Sequence, residues 1–267
     1  LDLPTLRDQQ RLNAGLCAQL TRHVRALEPA GVTVSVGGEI GEVGGRNSTE
    51  DELAAFMAEY EQALGTDVVG LSKLSVQTGT SHGGVVLPDG SLAQVKVDFD
   101  TLQRLSRQAR RDYGMAGAVQ HGASTLPESA FGRFAEAEAC EVHLATNFQT
   151  MLFDRLPPDL HAEIDAWLLD AKADLKKSGE TDEQFLYKSR KYAVGPFKRH
   201  MWDLPEALRT EVGEAWQAQF AFLFDRLNVA GTRDLVLRHV TPVPTTRTLA
   251  SFGAEPGLPD DVTGLAD

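Results

Sequence analysis

Residues 119–125 read Val-Gln-His-Gly-Ala-Ser-Thr, an apolar run that ends in a His-Gly pair and continues with hydroxyl side chains. A similar stretch lies upstream at residues 78–84, Thr-Gly-Thr-Ser-His-Gly-Gly, and also follows a largely apolar run. Both have the composition of a loop that leaves the end of a buried strand. The two histidines, His82 and His121, are therefore expected to occupy equivalent places after successive strands.

Four short runs of apolar and β-branched residues share this arrangement along the chain. Each run is followed by polar or glycine-rich sequence, and helical segments lie between them; the runs cover residues 32–36, 68–76, 116–120 and 141–144. Regular alternation of strand and helix indicates βα units, whose strands form a parallel sheet. The sequence thus predicts the α/β class.

Several local patterns predict where helices begin. Thr49 and Glu52 form a possible capping box before a helix over residues 53–64, and Thr125 and Glu128 repeat the pattern. An N-terminal helix is predicted with an apolar face at Leu12, Leu16 and Leu20. Apolar residues spaced by about 3.6 positions predict further helices over residues 159–177 and 204–227. We therefore expect one domain over residues 1–240 with a helical C-terminal extension, followed by an irregular tail over 241–267.

The overall composition excludes some classes of protein. Of the 267 residues, 42% are hydrophobic and 24% are charged, as in an ordinary globular protein. The net charge of -12 disfavours nucleic-acid binding because it repels a phosphate backbone. Cys17 and Cys140 form neither a disulfide framework nor a CxxC pair, and no apolar run is long enough to span a bilayer. A soluble protein of the cytoplasm is the expectation.

A metal site is the sharpest hypothesis that these loops support. In a parallel βα barrel all strand ends open onto one face, so His82 and His121 can converge there, and neutral imidazoles are suitable zinc ligands. Glu39 follows the preceding predicted strand and supplies a carboxylate. Taken alone, His82 is equally well explained as a turn histidine, and Glu39 is better explained as a surface residue.

An anion site is the second hypothesis. Gly122, Ala123 and Ser124 precede a predicted helix N-terminus, where free backbone N–H groups and the helix dipole favour a phosphate. Residues 143–146, His-Leu-Ala-Thr, follow the fourth predicted strand and could hold the same phosphate from its other side. Ordinary helix capping by Ser124 is the simpler explanation of the first loop.

Together, residues 1–149 resemble the class II ketose-bisphosphate aldolases, the fructose- and tagatose-bisphosphate family, in order, spacing and residue type. The resemblance implies a TIM-type (β/α)8 barrel to which this chain supplies strands 5 to 8. It implies that His82 and His121 ligate zinc, that Glu39 is associated with the metal, and that a monovalent cation binds nearby. It also implies contacts to the donor, dihydroxyacetone phosphate, from one set of residues: Gly83, Gly122, Ala123, Ser124, His143, Leu144, Ala145 and Thr146.

Three departures from the family pattern stand out. Nothing before Gly31 corresponds to strands one to four, so we expect this chain to be the later part of the barrel. Arg46 and Asn47 occupy the mobile loop where the family has adjacent acidic residues, which leaves the catalytic acid or base unassigned. His143 stands where an asparagine usually contacts the donor.

The resemblance implies zinc-dependent aldol cleavage or condensation of a ketose phosphate by a homo-oligomer, a dimer or tetramer. Two alternatives stay open: a non-catalytic barrel relative that binds a sugar phosphate, and a metal-dependent barrel lyase that acts on another carbonyl substrate. A basic cluster over residues 188–199 could capture a second phosphate, although a solvated helix face explains it more simply.

Overall fold

The computed structural model describes residues 3–41, 45–80, 87 and 96–243. These residues contain one four-stranded parallel sheet whose strands lie in sequence order. The strands are β1 Gly37–Glu39, β2 Lys73–Val76, β3 Ala118–Gln120 and β4 Glu141–Val142. Sequential parallel strands joined by helices are the pattern of successive βα units in a barrel wall. The predicted α/β class is confirmed.

Helices connect the strands and extend the chain beyond them. Those around the sheet are α1 Leu6–Leu27, α2 Glu50–Leu64, α3 Phe99–Tyr113 and α4 Gly132–Glu136, the last preceded by a 3-10 turn, Glu128–Ala130. The extension contains α5 Thr146–Phe153, α6 Pro158–Ala171, α7 Asp182–Ser189, α8 Lys198–Trp202 and α9 Glu206–Arg226. In the described part of the chain, no helix combines the length and apolar character needed to cross a membrane.

The chain divides into two compact units, residues 1–228 and residues 229–267. The first contains the sheet and helices α1 to α9, and the second contains α10, Arg233–His239. Most of the tail predicted over residues 241–267 lies outside the described residues. The predicted boundary at residue 240 therefore stays a prediction.

The capping box at the start of α2 is confirmed. The Thr49 hydroxyl accepts a hydrogen bond from the Glu52 N–H at 3.2 Å, and the Glu52 carboxylate accepts one from the Thr49 N–H at 2.9 Å. The capping box predicted at Thr125 and Glu128 is wrong. The Leu126 N–H bonds to the Ala123 carbonyl at 3.2 Å, which places Thr125 inside a turn ahead of the next helical residues.

The first strand was misplaced by the sequence prediction. Residues 32–36 are not assigned to the sheet, and β1 begins at Gly37. A Cβ atom on Gly38 would lie only 2.8 Å from a methyl group of Leu71 and 3.2 Å from the ring of Phe56. Glycine thus allows the strand to pack closely against α2, although glycine has a low intrinsic preference for strands.

The apolar face predicted for α1 is also wrong. Leu12, Leu16 and Leu20 are 75%, 51% and 65% exposed, whereas Ala14 and Ala18 are fully buried. The small alanine side chains let the helix approach its neighbour α2 closely, so the leucines point to the opposite side.

Two hydrophobic clusters stabilise the first unit. The larger lies between the sheet and its helices and includes Phe56, Leu74, Leu102, Leu105 and Phe134. The second lies within the C-terminal extension and includes Phe153, Ile164, Leu168, Phe185 and Phe197. Truncation of a buried aromatic side chain in such a cluster typically costs about 3–5 kcal/mol.

Candidate functional site

The sheet register brings the predicted site residues to one edge. Glu39 is the last residue of β1 and pairs with Ser75 of β2, while Val119 of β3 pairs with both Ser75 and Glu141. His121 directly follows β3, and His143 directly follows β4. The carboxyl ends of the strands therefore collect one carboxylate and two imidazoles on one edge, as residues on a barrel's active face would be.

The Glu39 and His121 side chains lie close together at this edge of the sheet. The His121 Nδ1 atom lies 3.9 Å from the Glu39 Oε1 atom, and the two side chains are 20% and 49% exposed. The Glu39 carbonyl accepts a hydrogen bond from the Asn13 side chain at 2.9 Å, which ties the end of β1 to α1. The pair combines a nitrogen and a carboxylate oxygen, both donors that zinc accepts at about 2.0–2.2 Å.

The residue types of this pair suit zinc, but 3.9 Å is wider than the separation of about 3.4 Å between two ligands that lie about 2.1 Å from a tetrahedral zinc ion. The described residues contain no cluster of three or more His, Cys, Asp or Glu side chains suited to a metal. The other predicted ligand, His82, and the predicted donor contact Gly83 lie outside the described residues. Both stay predictions.

His143 lies beside His121 at the same edge of the sheet. Its imidazole ring stacks on that of His121, with centroids 4.3 Å apart and planes inclined by 27°. The His143 Nε2 atom is hydrogen-bonded to one carboxylate oxygen of Glu141, and Lys73 donates to the other. Burial raises the pKa of Glu141, but the hydrogen bonds from His143 and Lys73 outweigh it and leave the pKa below its ordinary value.

Two glutamines that the sequence prediction missed organise the loops. The Gln77 Oε1 atom accepts hydrogen bonds from the backbone N–H groups of Thr78, Gly79 and Thr80 at 2.7, 3.0 and 3.1 Å. Gln120 accepts from the Thr78 hydroxyl at 2.6 Å and donates to the His121 carbonyl at 2.6 Å. Both glutamines are buried. The sequence signal was a glutamine at each strand end: Gln77 directly follows the predicted run 68–76, and Gln120 is the last residue of the predicted run 116–120.

The predicted donor-binding residues form two adjoining loops. Gly122 has a φ of +70°, a conformation that favours glycine, and the adjacent Ala123 is fully buried. The Ser124 hydroxyl accepts a hydrogen bond from the Ala145 N–H at 2.9 Å, which joins the loop after β3 to the loop after β4. Thr146 then begins α5, whose cap residue Ala145 provides no side-chain hydrogen bond.

The remaining loop residues have structural partners. Arg46 forms an ion pair with Glu52 of the capping box, and the Asn47 side chain donates to Asp98 at 2.9 Å. Asp98 is the residue that caps α3 through the Thr101 N–H. Arg46 and Asn47 therefore join the loop after β1 to the starts of two helices, and neither supplies an acid or base.

The basic cluster over residues 188–199 does not form a single anion site. Lys188 is paired with Glu180, and Arg190 packs over the ring of Tyr187 while donating to the Thr150 hydroxyl at 2.9 Å. Arg199 lies 3.6 Å from Asp203. These cations point to different partners, which explains why their proximity in sequence did not produce a common site.

The chain belongs to a known family. The family model for "Fructose-bisphosphate aldolase class-II" matches residues 11–211, most of the chain. That family has the TIM-type barrel fold, and the four parallel strands in sequence order agree with the predicted strands 5 to 8.

Similar solved structures include a probable tagatose 6 phosphate kinase from Sinorhizobium meliloti 1021. The match has a TM-score of 0.50 and 17% identity and covers 85% of this chain and 66% of that chain. A fructose-bisphosphate aldolase from Campylobacter jejuni gives a TM-score of 0.41 and 16% identity, with 82% of this chain and 57% of that chain covered. This chain thus spans two thirds or less of the length of these structures, and the likeness at this identity concerns the fold.

Proposed function

We propose that the protein catalyses zinc-dependent aldol cleavage and condensation of a ketose phosphate, with dihydroxyacetone phosphate as the donor. One observation carries the proposal: the 3.9 Å approach of Glu39 and His121 at the carboxyl edge of the sheet, in a chain of the class-II family. Glu39, His121 and His82 are the proposed zinc ligands. When bound, zinc would act as a Lewis acid that stabilises negative charge on the donor's oxygens.

The protein's own residues bind and orient the donor in this proposal. The loop at Gly122, Ala123 and Ser124 and the start of α5 at Thr146 face one another through the Ser124–Ala145 hydrogen bond. Backbone N–H groups in these loops hold the phosphate, as they do at many anion sites. His143, which is held by Glu141, contacts the donor's polar end.

A non-catalytic sugar-phosphate-binding function is the alternative. It is favoured by the loop after β1, where Arg46 and Asn47 are engaged in contacts with Glu52 and Asp98 instead of offering a proton acceptor. Under this alternative the protein binds dihydroxyacetone phosphate but does not cleave a ketose bisphosphate. A lyase acting on another carbonyl substrate, the monovalent cation, the homo-oligomer and the cytoplasmic location also stay predictions.

The test is a matched pair of histidine variants of the intact protein. His121→Ala should lose bound zinc and the cleavage of fructose and tagatose 1,6-bisphosphates together. His161→Ala is the control, because this histidine lies on α6 beside Asp165 at 3.1 Å and outside the strand-end site. Full zinc content and full cleavage in His121→Ala would refute the assignment. A wild-type protein that binds dihydroxyacetone phosphate but cleaves neither bisphosphate would favour the alternative.

A further inference from the structure

A cavity of about 640 Å³ lies in the C-terminal extension, and its lining includes none of the strand-end residues described above. It is bordered by α5, α8, α9 and the segment before α8. Its lining residues include Leu152, Met201, Trp202, Gly213 and Trp216. The volume lies within the range of about 300–1,000 Å³ that is usual for small-molecule sites. None of these residues has a part in the proposed aldolase site.

The walls suit a flat apolar group. The Trp216 indole N–H donates to the Phe148 carbonyl at 3.1 Å, which fixes that ring in place. Trp202 is 63% exposed, an unusual degree of exposure for a tryptophan. Leu152 and Met201 add aliphatic surface. Indole rings of this kind stack on planar ligands.

The charges around the cavity suit an anion. Lys198 and Arg209 both line it, and within the described part of the chain neither lies within ion-pair distance of an acidic side chain. The carboxylate of Asp203, the acidic residue of the lining, is instead engaged by Arg199 at 3.6 Å. Lys198 also lies 5.2 Å from the centre of the Trp202 ring. In a chain with a net charge of -12, two cations without acidic partners beside one cavity favour an anionic ligand.

We propose that this cavity binds a small organic anion with a planar apolar body, the chemical class of the aryl carboxylates. The planar part lies against Trp202 and Trp216, and the carboxylate lies between Lys198 and Arg209. The site is separate from the one proposed for the donor phosphate, so its occupancy does not require bound zinc or aldol cleavage.

The first experiment uses 1-naphthoate as the probe and isothermal titration calorimetry as the measurement. The intact protein should bind 1-naphthoate saturably at one site per chain. The neutral analogue 1-naphthalenemethanol has the same ring system without the charge. It should bind at least about tenfold more weakly, because it has no carboxylate to contact Lys198 and Arg209. Absence of saturable 1-naphthoate binding, or equal affinity for the two compounds, would overturn the proposal.

The second experiment fills the cavity without disturbing the fold. Gly213 lies within α9, and a Cβ atom added there meets nothing within 4 Å. Gly213→Leu should therefore leave a stable helix, project its side chain into the cavity and weaken 1-naphthoate binding at least tenfold. Gly213→Ala is the matched control and should bind within about threefold of wild type, since alanine also improves helix propensity while adding one methyl group. A Gly213→Leu variant that melts like wild type and binds equally well would contradict the placement.

The third experiment tests the cations. Arg209→Gln and Lys198→Gln should each weaken 1-naphthoate binding about tenfold and leave the affinity for 1-naphthalenemethanol unchanged. Arg226→Gln is the control, because this arginine ends the same helix but does not line the cavity. If all three variants bind 1-naphthoate alike, the assigned anion position is wrong.

Discussion

The imidazole rings of His121 and His143 stack at a centroid distance of 4.3 Å, although the two residues follow different strands. His121 also approaches the Glu39 carboxylate, whereas His143 is held by Glu141. The two neighbours therefore have different partners: one lies beside a second candidate metal ligand, and the other is fixed by a carboxylate that Lys73 also contacts. Replacing His121 and replacing His143 should therefore have different effects on zinc content and on activity.

Replacement of His143 by Ala should reduce the proposed aldol cleavage without removing the proposed zinc ion. Residues that contact a metal ligand without binding the ion typically contribute about 10- to 100-fold to activity, and a loss of this size in kcat/KM is expected here. Zinc analysis of the purified variant should give the wild-type content. Loss of zinc equal to that of His121→Ala would mean that His143 is itself a ligand.

The link between Glu28 and the segment before β1 should make stability depend on pH. The Glu28 carboxylate is hydrogen-bonded by the Val34 N–H at 2.9 Å and paired with Arg25 at 2.9 Å, and only 14% of its side chain is exposed. The hydrogen bond from Val34 and the contacts with Arg25 hold the pKa of Glu28 below its ordinary value. A carboxylate whose pKa is lowered by folding stabilises the protein above its unfolded-state pKa of about 4.3 and loses this effect as the pH falls through the folded value.

Glu28→Gln should therefore have a lower free energy of unfolding than wild type at pH 7, and the difference should shrink as the pH falls below about 4. Urea denaturation at a series of pH values measures it. Glu163→Gln provides a control on α6, where the Glu163 side chain is exposed. If the difference in free energy of unfolding between wild type and Glu28→Gln stayed constant down to pH 3, the Glu28 carboxylate would not be the source of the pH dependence.

The capping box of α2 gives a local stability prediction. Thr49→Ala removes the hydroxyl that accepts from the Glu52 N–H and should lower the free energy of unfolding by about 1 kcal/mol. Thr49→Ser keeps an acceptor at the same position and should retain most of the wild-type stability. Urea midpoints that shift equally for both substitutions would show that the hydroxyl is not what stabilises the helix start.

Local signals in the sequence predicted some of the local structure: the capping box before α2 was found correctly, and the one at Thr125 was not. The α2 capping box depends on residues three positions apart, so Thr49 and Glu52 could be recognised without any knowledge of the tertiary fold. The start of β1 could not be recognised in this way. It depends on pairing with β2, where Gly37 pairs with Lys73, a residue 36 positions further along the chain. The prediction that the leucines of α1 form its buried face was wrong for the same reason. Periodicity identifies an apolar face but not which neighbouring element it contacts.

The site was partly predictable for a related reason. Glu39 and His121 could be expected to converge because parallel strands end at a common edge, and their 3.9 Å separation agrees with that expectation. Gln77 and Gln120 were missed because glutamine at a strand end usually faces solvent, and their hydrogen bonds reach backbone groups in two different loops. Burial of an amide side chain with several specific partners is a tertiary property that a single sequence does not reveal.

Gln77→Leu tests whether these buried amides maintain the edge that is proposed to bind zinc. The substitution removes an oxygen that accepts from three consecutive backbone N–H groups, and the unfolding free energy should fall by about 2 kcal/mol because buried donors are left unpaired. His82, a proposed zinc ligand, lies two residues after Thr80 in the sequence, so the zinc content of the purified protein should fall as well. Gln103→Leu makes the same chemical change on α3, where the side chain donates to the Glu136 carbonyl and has no further hydrogen bond within the described residues, and it should alter neither quantity appreciably. If Gln77→Leu matched this control in urea denaturation and in zinc analysis, the loop would not depend on the Gln77 amide.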